Sequence, residues 1–325
     1  MKPFIFEKAK TSAEALQLKN EKKDFIAGGT NIVDLLKKNI AQPDGMVDIS
    51  GVLSADTIFS DKSVSIGAMV RNTSLTTNSD LQKNYPLIAK TVLAGASPQI
   101  RNMASTAGNL LQRTRCPYFY DITTPCNKRK PGSGCSALKG DSKMSAIIGY
   151  NEQCVAVHPS DLCISLSALD AIVYGLSSKN EKLMIPFKDF HKLPENTPWK
   201  DNNLPQNALI THIEIAKNEF HKKYAYVKLR ERTSYAFAMI SAACALQIDG
   251  NIIKAARLAS GGVAHKPWRW YEAEDYLKGK KASEEVFKKA SEIAAEKVKP
   301  LSDNAYKVPM LKGALELALK NAVNT

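Results

Sequence analysis

The sequence lacks the features that would place it in a membrane or mark it for secretion. No run approaches the roughly 20 apolar residues that a membrane-spanning helix needs, and the N-terminus, MKPFIFEK, has neither an apolar segment nor a small-residue cleavage site. We therefore expect a soluble chain that is cytoplasmic by its own sequence. Its 325 residues, without an internal repeat, exceed what one hydrophobic core usually organises, so two or three domains are expected.

A clustered positive charge is also lacking, although the formal net charge is +13. The lysines are spread along the chain beside acidic residues, as in KNEKKD, and no stripe of basic and aromatic residues is present. This distribution disfavours a nucleic-acid-binding protein and fits a basic surface that meets acidic partner subunits. A basic zinc protein that binds nucleic acid is kept as an alternative.

The six cysteines include no C-x2–4-C pair of the kind typical of structural zinc sites. Four of them lie in and just after a segment rich in proline and glycine, with gaps of nine, eight and eighteen residues and no histidine between them. These four are Cys116, Cys126, Cys135 and Cys154. Neither helix nor sheet periodicity would order this segment, so we expect a bound metal centre to hold it.

The wide gaps favour an iron–sulfur cluster over zinc, because a four-iron cluster spreads its thiolates over a larger object. Aromatic and apolar neighbours could keep water from such a cluster, namely Tyr118, Phe119, Tyr120 and Leu138. Zinc, free thiols and an exported disulfide remain open as alternatives. Cys163 and Cys244 lie in apolar runs and are expected to be core thiols.

The G-x-G-x-x-G motif with its following acidic residue is absent, which disfavours a Rossmann dinucleotide fold. Two shorter glycine motifs are present instead. AGGTN, residues 27–31, places two glycines between a predicted strand and a predicted helix, where backbone N–H groups can approach a phosphate. STAGN, residues 105–109, could close over the same ligand from the other side. Each motif alone is typical of an ordinary turn, but together they favour a nucleotide ligand.

Hydrophobic periodicity predicts an α+β protein with three regions. Residues 1–55 are predicted to form strand, helix, strand, glycine turn and helix, with Ser12 as the first N-cap. Residues 56–218 contain alternating strands, a helix from Asp80 to Ala94, the cysteine segment at about 111–154, and then a helix followed by strands. Residues 219–325 begin with the strands YAYVKL and FAMISAACALQID and continue as helices.

Several of these motifs resemble the FAD-binding subunit of the xanthine dehydrogenase family of molybdenum hydroxylases. The resemblance rests on AGGTNI, AGASPQIRNMASTAGNL, PSDL and KLRERTSYAFA, and it covers almost the whole chain. The cysteine segment is similar to that of one branch, the bacterial aldehyde oxidoreductases that work outside the cytoplasmic membrane. The resemblance implies a two-part FAD-binding domain of the vanillyl-alcohol-oxidase/CO dehydrogenase flavoprotein type, an inserted iron–sulfur loop and a C-terminal α+β domain.

The resemblance also assigns FAD-binding residues position by position. Asp161 matches an acidic residue that hydrogen-bonds the adenosine part of FAD, Ile210 an apolar residue beside the adenine, and Lys228 a lysine near the flavin. The pyrophosphate loop and a second flavin segment match Ala27, Gly28, Gly29, Thr30, Asn31 and Ile32, then Ala96, Ser105, Gly108 and Asn109. Ala107 replaces a family glycine, which requires a negative φ there. The residues that host NAD in the dehydrogenases are not recognisable.

The function implied by the resemblance is an electron relay. In this family, a large subunit oxidises the substrate at a molybdenum cofactor, and electrons pass through two [2Fe–2S] clusters in a small subunit to FAD and then to an external acceptor. A heterotrimer follows, with no substrate acid or base on this chain and with a [4Fe–4S] cluster on Cys116, Cys126, Cys135 and Cys154. Export together with a partner that carries a twin-arginine signal would place the complex in the periplasm.

A stand-alone FAD-dependent oxidase, which would need its own acid–base residues, remains an alternative function. His158, four residues after Cys154, is expected to be a loop histidine packed near FAD rather than a metal ligand.

Overall fold

The computed structural model describes all residues from Met1 to Thr325, and it begins with a small parallel sheet. Its strands are Ile5–Lys8 (β1), Lys23–Ile26 (β2) and Gly45–Asp48 (β3), and they lie in the order β1-β3-β2. Helices Ser12–Leu18 (α1) and Ile32–Lys37 (α2) follow β1 and β2. Because both pairings are parallel, each connection crosses back through a helix. The AGGTN turn between β2 and α2 therefore lies at the carboxyl edge of this sheet.

The second region is built on a five-stranded antiparallel sheet with helices packed against it. The chain enters it through strands Thr57–Phe59 (β4) and Ser63–Gly67 (β5) and then runs through helices Asn72–Thr77 (α3), Ser79–Asn84 (α4), Pro86–Ala94 (α5), Pro98–Met103 (α6) and Thr106–Leu110 (α7). The cysteine segment, residues 111–154, contains only helix Pro117–Tyr120 (α8) and a single 3-10 turn, Ser136–Leu138.

After the cysteine segment the chain returns to this sheet. It forms helix Leu162–Ala168 (α9), strands Ile172–Leu176 (β6) and Lys182–Pro186 (β7), helix Phe187–Phe190 (α10) and strand Leu209–Ala216 (β8). The strand order is β4-β5-β8-β6-β7, so the last strand pairs with β5, which forms before the insertion, and with β6, which forms after it. The cysteine segment is thus an insertion between two strands, β5 and β6, of one continuous sheet.

The C-terminal region is a four-stranded antiparallel sheet with three helices. Its strands are Tyr224–Leu229 (β9), Ile240–Asp249 (β10), Ile252–Gly261 (β11) and Trp268–Arg269 (β12), in the order β12-β11-β10-β9. The helices are Tyr271–Leu277 (α11), Glu284–Ala295 (α12) and Lys307–Asn324 (α13). No helix in the structure combines the length and apolar composition needed to cross a bilayer.

The apolar residues form two large cores and one very small one. A core of 36 buried residues joins the first two regions, and a core of 25 fills the C-terminal region. The third consists only of Leu35, Phe119 and Cys126, which joins α2 to the cysteine segment. Cys163 and Cys244 are fully buried in the two large cores, as expected for core thiols.

Three local predictions were wrong. The first helix is capped by Thr11, whose hydroxyl accepts from the N–H of Glu14, and not by Ser12. The helix expected from Asp80 to Ala94 is two helices, because Pro86 has no N–H to continue the first one. The chain after Asp249 was expected to be helical, yet β11 follows, since Gly250 takes a φ of +58° in a tight turn that folds β11 back on β10.

Candidate functional site

A cleft of about 680 Å³ lies where the three regions meet, a size within the usual range of small-molecule sites. Its walls come from the turn before α2, from the chain around α5 to α7, from the loop before α9 and from the end of β9 and the loop after it. Seven of the residues matched to FAD binding line it, namely Thr30, Asn31, Ala96, Gly108, Asn109, Asp161 and Lys228.

The other six residues matched to FAD binding do not line this cleft. Ala27, Gly28, Gly29 and Ile32 lie in the turn and the helix start behind Thr30 and Asn31. Ser105 caps α7, with its hydroxyl accepting from the N–H of Gly108 at 3.3 Å. Ile210 is buried in the 36-residue core and does not line the cleft. Strand β8 is bulged where it pairs with Tyr174 and Gly175, and beyond that bulge the side chain of Ile210 packs into the core.

The two glycines of the AGGTN turn are needed for different reasons. A Cβ at Gly28 would lie 1.9 Å from the carbonyl oxygen of Met103, so the turn packs directly against the end of α6. Gly29 has a φ of +73°, which a residue with a side chain rarely adopts. The close approach at Gly28 is therefore to the protein's own backbone, and this contact holds α2 and α6 on the same side of the cleft. Ala107, which lies within α7, does not have the positive φ that would have been strained there.

Asp161 is the centre of a buried polar cluster at the cleft. Its Oδ2 accepts from Lys228 Nζ at 2.8 Å and its Oδ1 from the Tyr226 hydroxyl at 2.5 Å. The side chains of Asp161 and Lys228 are 9% and 5% exposed. Burial, together with the nearby Asp161 carboxylate, raises the pKa of Tyr226 well above its usual value. Lys228 Nζ also donates to the carbonyl of Ala94 at 3.0 Å, so the cluster ties β9 to the end of α5.

Two buried side-chain atoms that face the cleft have no partner in the protein. Asn31 uses its Oδ1 to accept from the N–H of Arg113 at 3.0 Å, which leaves Asn31 Nδ2 unpaired. Asn72, 3% exposed, has an unpaired Oδ1. Buried polar atoms of this kind are rare and usually meet water, an ion or a ligand. One free donor and one free acceptor in the same cleft fit a ligand such as FAD, which offers phosphate oxygens and hydroxyl or ring N–H groups.

Several cleft residues were not assigned to FAD binding from the sequence. They are Asn72 and Arg101 near α3 and α6, Arg115 at the start of the cysteine segment, Phe237 after β9, and Tyr120, which was expected to shield the cluster. Arg115 and Phe237 fall inside the motifs RTRCPYFY and TSYAFA, so the signal was present, but only the tertiary fold shows that these residues share one cavity.

The four cysteines expected to bind a metal centre line one small cavity together. Cys126 and Cys135 face each other across a short antiparallel bridge, and Asn151 pairs with Cys154 in the same way. Phe119, Tyr118 and Ala137 close the cavity. The structure thus brings together residues that are up to 38 positions apart in sequence, from 116 to 154, without regular secondary structure to align them.

The pKa values of three of these thiols depart from the ordinary value of a cysteine. The Cys154 thiol donates a hydrogen bond to Cys135, which lowers the pKa of Cys135 to about 6 and raises that of Cys154. Burial raises the pKa of the Cys116 thiol to about 11. Each of the six cysteines is free of a disulfide. A bound cation would offset the cost of ionising Cys116 and Cys154, because it stabilises the thiolate form.

The cysteine segment is held mainly by polar contacts rather than by apolar packing. Arg129 Nη1 donates to the carbonyls of Tyr118 and Phe119 at 2.7 and 2.8 Å. Lys128, 2% exposed, donates to Asp201 at 2.5 Å, and Arg113 forms an ion pair with the same carboxylate. The burial of Asp201 would raise its pKa, but these two cations outweigh it and lower the value. The segment is therefore fixed to the loop that precedes β8.

His158 packs against His191 and does not line the cavity of the four cysteines. Its ring lies 4.3 Å from that of His191, and one potential ligand atom each from His158, His191 and Cys163 lies within 4.8 Å of the others. However, the N–H of Ser160 donates to His158 Nδ1 at 3.4 Å and His191 Nε2 bonds the carbonyl of Leu110 at 2.9 Å. The neutral His158 ring then carries its proton on Nε2, where a metal would need a lone pair.

A third cavity, of about 200 Å³, connects the two sites. It shares Arg115, Met144, Pro159, Ser160, Asp161 and Phe237 with the cleft, and it shares Cys116 with the cysteine cavity. His158 also lines it. The cleft and the cysteine cavity thus both adjoin this third cavity.

Comparison with known proteins finds two family matches along the chain. Residues 2–217 match the FAD binding domain in molybdopterin dehydrogenase, and residues 224–320 match the CO dehydrogenase flavoprotein C-terminal domain. The chain is 40% identical to the aldehyde oxidoreductase FAD-binding subunit PaoB of Escherichia coli, with 99% of each covered. It is 26% identical to the glyceraldehyde dehydrogenase medium chain of Sulfolobus acidocaldarius, over 93% of this chain and 90% of that one.

Solved structures share the fold. A chain of the carbon monoxide dehydrogenase of Hydrogenophaga pseudoflava superposes with a TM-score of 0.77 at 21% identity, and one of quinoline 2-oxidoreductase from Pseudomonas putida 86 with 0.76 at 20%. Each comparison covers 99% of this chain and 97% of the other. The α+β FAD-binding architecture expected from the sequence is confirmed, and the chain belongs to the FAD-binding medium subunits of the molybdenum hydroxylase family.

Proposed function

We propose that this chain is the electron-transfer subunit of a molybdenum-containing aldehyde oxidoreductase, and that it carries a [4Fe–4S] cluster beside its FAD. The observation that carries the proposal is the position of the four-cysteine cavity next to the flavin cleft, with Cys116 on the wall of both the cysteine cavity and the connecting cavity. The identity of 40% to an aldehyde oxidoreductase subunit over the whole chain supports aldehydes as the substrate class of the complex.

The residues proposed to hold FAD act by binding and orienting it. Asn31 Nδ2 is a free donor for a phosphate oxygen, and the Asp161 carboxylate retains acceptor sites for a hydroxyl beside its contacts with Lys228 and Tyr226. When bound, FAD supplies the chemistry that links one-electron carriers to two-electron acceptors. The protein groups keep it in one orientation and exclude water from its inner face.

The cysteine site is proposed to bind iron rather than zinc. A tetrahedral zinc with four thiolates at about 2.3 Å requires sulfur atoms about 3.8 Å apart. The group of three potential ligand atoms within 4.8 Å of one another is His158, Cys163 and His191, whereas no three of the four cysteine sulfurs lie that close together. Although Cys135 and Cys154 are hydrogen-bonded to each other, the four cysteines as a set line one cavity with a spacing that suits the larger cluster.

The cleft offers little support for a stand-alone oxidase. Its carboxylates include Asp161, already bound to Lys228 and Tyr226, and Glu231, paired with Lys143 at 2.7 Å. A substrate base would have to break one of these contacts or act from the first turn of α2, where Asp34 lies. We therefore propose that substrate oxidation occurs on a large molybdenum subunit, that a small [2Fe–2S] subunit delivers the electrons, and that the three form a heterotrimer.

Metal and flavin analysis of the purified chain tests this function. We expect one FAD and about four iron atoms per chain, with flavin absorbance bands overlaid on the broad absorbance of an iron–sulfur cluster. Zinc in place of iron would contradict the cluster. Flavin without metal, together with aldehyde oxidation by the isolated chain, would identify an oxidase instead.

Cell fractionation tests the proposed route of export. Expressed alone, the chain is expected to stay in the cytoplasm, and it is expected to reach the periplasm only with a partner that carries a twin-arginine signal. Its appearance outside the cytoplasm without partners would contradict co-export.

A further inference from the structure

The turn formed by residues 115–120 contributes side chains to both cavities, with its two ends at the flavin cleft and residues between them at the cysteine cavity. Arg115 and Tyr120 line the flavin cleft, whereas Cys116 and Phe119 line the cysteine cavity. Arg115 Nη1 donates to the Tyr120 hydroxyl across the turn, and the Phe119 and Tyr120 rings pack edge to face with centroids 5.6 Å apart. The two residues on the flavin side are thus fixed by the same turn that positions a cysteine.

Arg115 is a cation of the cleft wall that has no anionic partner. Two residues earlier, Arg113 is paired with Asp201. Arg115 forms no ion pair, contacts Gln112 Oε1 only at 3.5 Å, and its Nε is buried with no hydrogen-bond partner at all. Its guanidinium instead lies over the rings of Phe237 and Tyr120, 5.3 and 5.9 Å from their centroids. A buried donor without a partner is costly, so its retention beside a ligand cleft requires an explanation.

The cleft supplies that explanation through the chemistry of its ligand. The other cations of the cleft wall already have partners within the protein. Lys228 binds Asp161, and Arg101 and Arg232 donate to the carbonyls of Gly95 and Tyr235. A guanidinium without a carboxylate partner stabilises negative charge that appears beside it, more strongly in a partly buried cleft than in bulk water. A flavin gains electron density when it is reduced, and nearby positive charge favours the reduced form.

We propose that Arg115 sets the reduction potential of the flavin in this chain, and that the Tyr120 hydroxyl positions its guanidinium for that role. Arg115 makes the flavin a better electron acceptor by stabilising its reduced, more negative form. The proposal builds on the electron relay described above, but it depends only on FAD and not on the identity of the metal at the cysteines.

The test is a spectroelectrochemical titration of the FAD-loaded chain. Arg115→Gln is expected to keep FAD and metal content while shifting the flavin midpoint potential to a more negative value. Arg115→Lys, which keeps the charge, should restore much of the wild-type potential. Arg257→Gln is the matched control, since Arg257 lines none of the three cavities, and it should leave the potential unchanged.

An Arg115→Gln protein with full FAD and an unchanged potential would overturn the proposal. If that variant loses FAD, the Tyr120→Phe variant is the test, because it removes only the hydroxyl that holds the guanidinium. A modest negative shift of the flavin midpoint potential in Tyr120→Phe supports the proposal, and an unchanged potential overturns it. If the chain proved to contain no iron, the effect of Arg115 on the flavin potential could still be measured. The proposed function and the proposed role of Arg115 can therefore be contradicted separately.

Discussion

The flavin cleft and the cysteine segment adjoin each other but are stabilised in different ways. The cleft is walled by ends of helices and strands whose apolar faces belong largely to a core of 36 buried residues. Residues 111–139 of the cysteine segment have one four-residue helix, one 3-10 turn and a share in a core of three residues, whereas Ile147 and Ile148 farther along belong to the core of 25. Apolar burial contributes roughly 25 cal/mol per Å², so the first region can form without its ligand, whereas the second has little to stabilise it apart from polar contacts and a bound group.

Because of this difference, we expect the largest loss of structure and bound metal when one of the four cysteines is replaced. Cys126→Ser should remove most of the iron, unfold the segment around residues 116–139 and expose the Arg129–Lys130 bond to trypsin, while leaving the two large cores folded. Metal analysis and limited proteolysis measure these effects. Cys244→Ala, which changes a core thiol, is the control and should keep its iron. Unchanged iron in Cys126→Ser would remove Cys126 from the ligand set.

The second largest effect is expected from a substitution in the AGGTN turn, which should lower flavin content but leave the four cysteines and their iron largely unchanged. In Gly28→Ala the new methyl group would lie 1.9 Å from the carbonyl oxygen of Met103, so α2 and α6 must move apart. Forced contacts of this kind cost about 1–3 kcal/mol or more. The flavin-to-protein ratio should fall while iron is largely retained. Gly51→Ala, where nothing lies within 4 Å of the added atom, should keep both, and full flavin in Gly28→Ala would contradict this account of the turn.

These two variants also show what the sequence could and could not predict. The AGGTN turn, the helix after it and most strands were predictable, because periodicity and glycine act locally. The grouping of the four cysteines was predictable because all four lie in or just after one stretch rich in proline and glycine. By contrast, the burial of Ile210 away from the cleft and the contact of Gly28 with Met103 depend on how distant elements pack. Strand β11 was not predicted, and the local signal for it is the Asp249–Gly250 turn that folds it back on β10.

A third effect, which should lower the flavin content less than Gly28→Ala does, tests the polar cluster that joins β9 to the cleft. Asp161→Ala leaves the ammonium group of Lys228 buried without its partner, which should cost about 3–5 kcal/mol of unfolding free energy. It should also weaken FAD binding, by about 1.5–3 kcal/mol if a charged hydrogen bond to FAD is lost. The double variant Asp161→Ala/Lys228→Met should recover part of the stability and none of the FAD contact. Urea unfolding and flavin titration separate the two, and equal losses in single and double variants would argue against the pair.

The smallest effect concerns how the end of the cysteine segment is attached to the C-terminal region. Lys307, at the start of α13, is fully buried and donates to the carbonyls of Ser145 and Gly262 at 2.9 Å each. Asn304 donates to the carbonyls of Ser142 and Ser145 at 3.2 Å each. These contacts fix the returning end of the segment to a helix of the 25-residue core, so part of the stability that the segment lacks comes from a neighbouring region.

Burial lowers the pKa of Lys307 to about 7, against about 10.4 in an unfolded chain. Between these values the unfolded state binds a proton that the folded state does not, so the unfolding free energy should rise with pH, by at most about 1.4 kcal/mol per unit. Below pH 7 the cost of charging the buried amine is fully present and constant. Lys307→Met removes this titration, so the wild-type minus variant difference in urea unfolding should increase from pH 7 to pH 9. A difference that stays flat would mean that Lys307 remains charged in the folded protein, held by its two carbonyls alone, and that the attachment of the segment does not depend on pH.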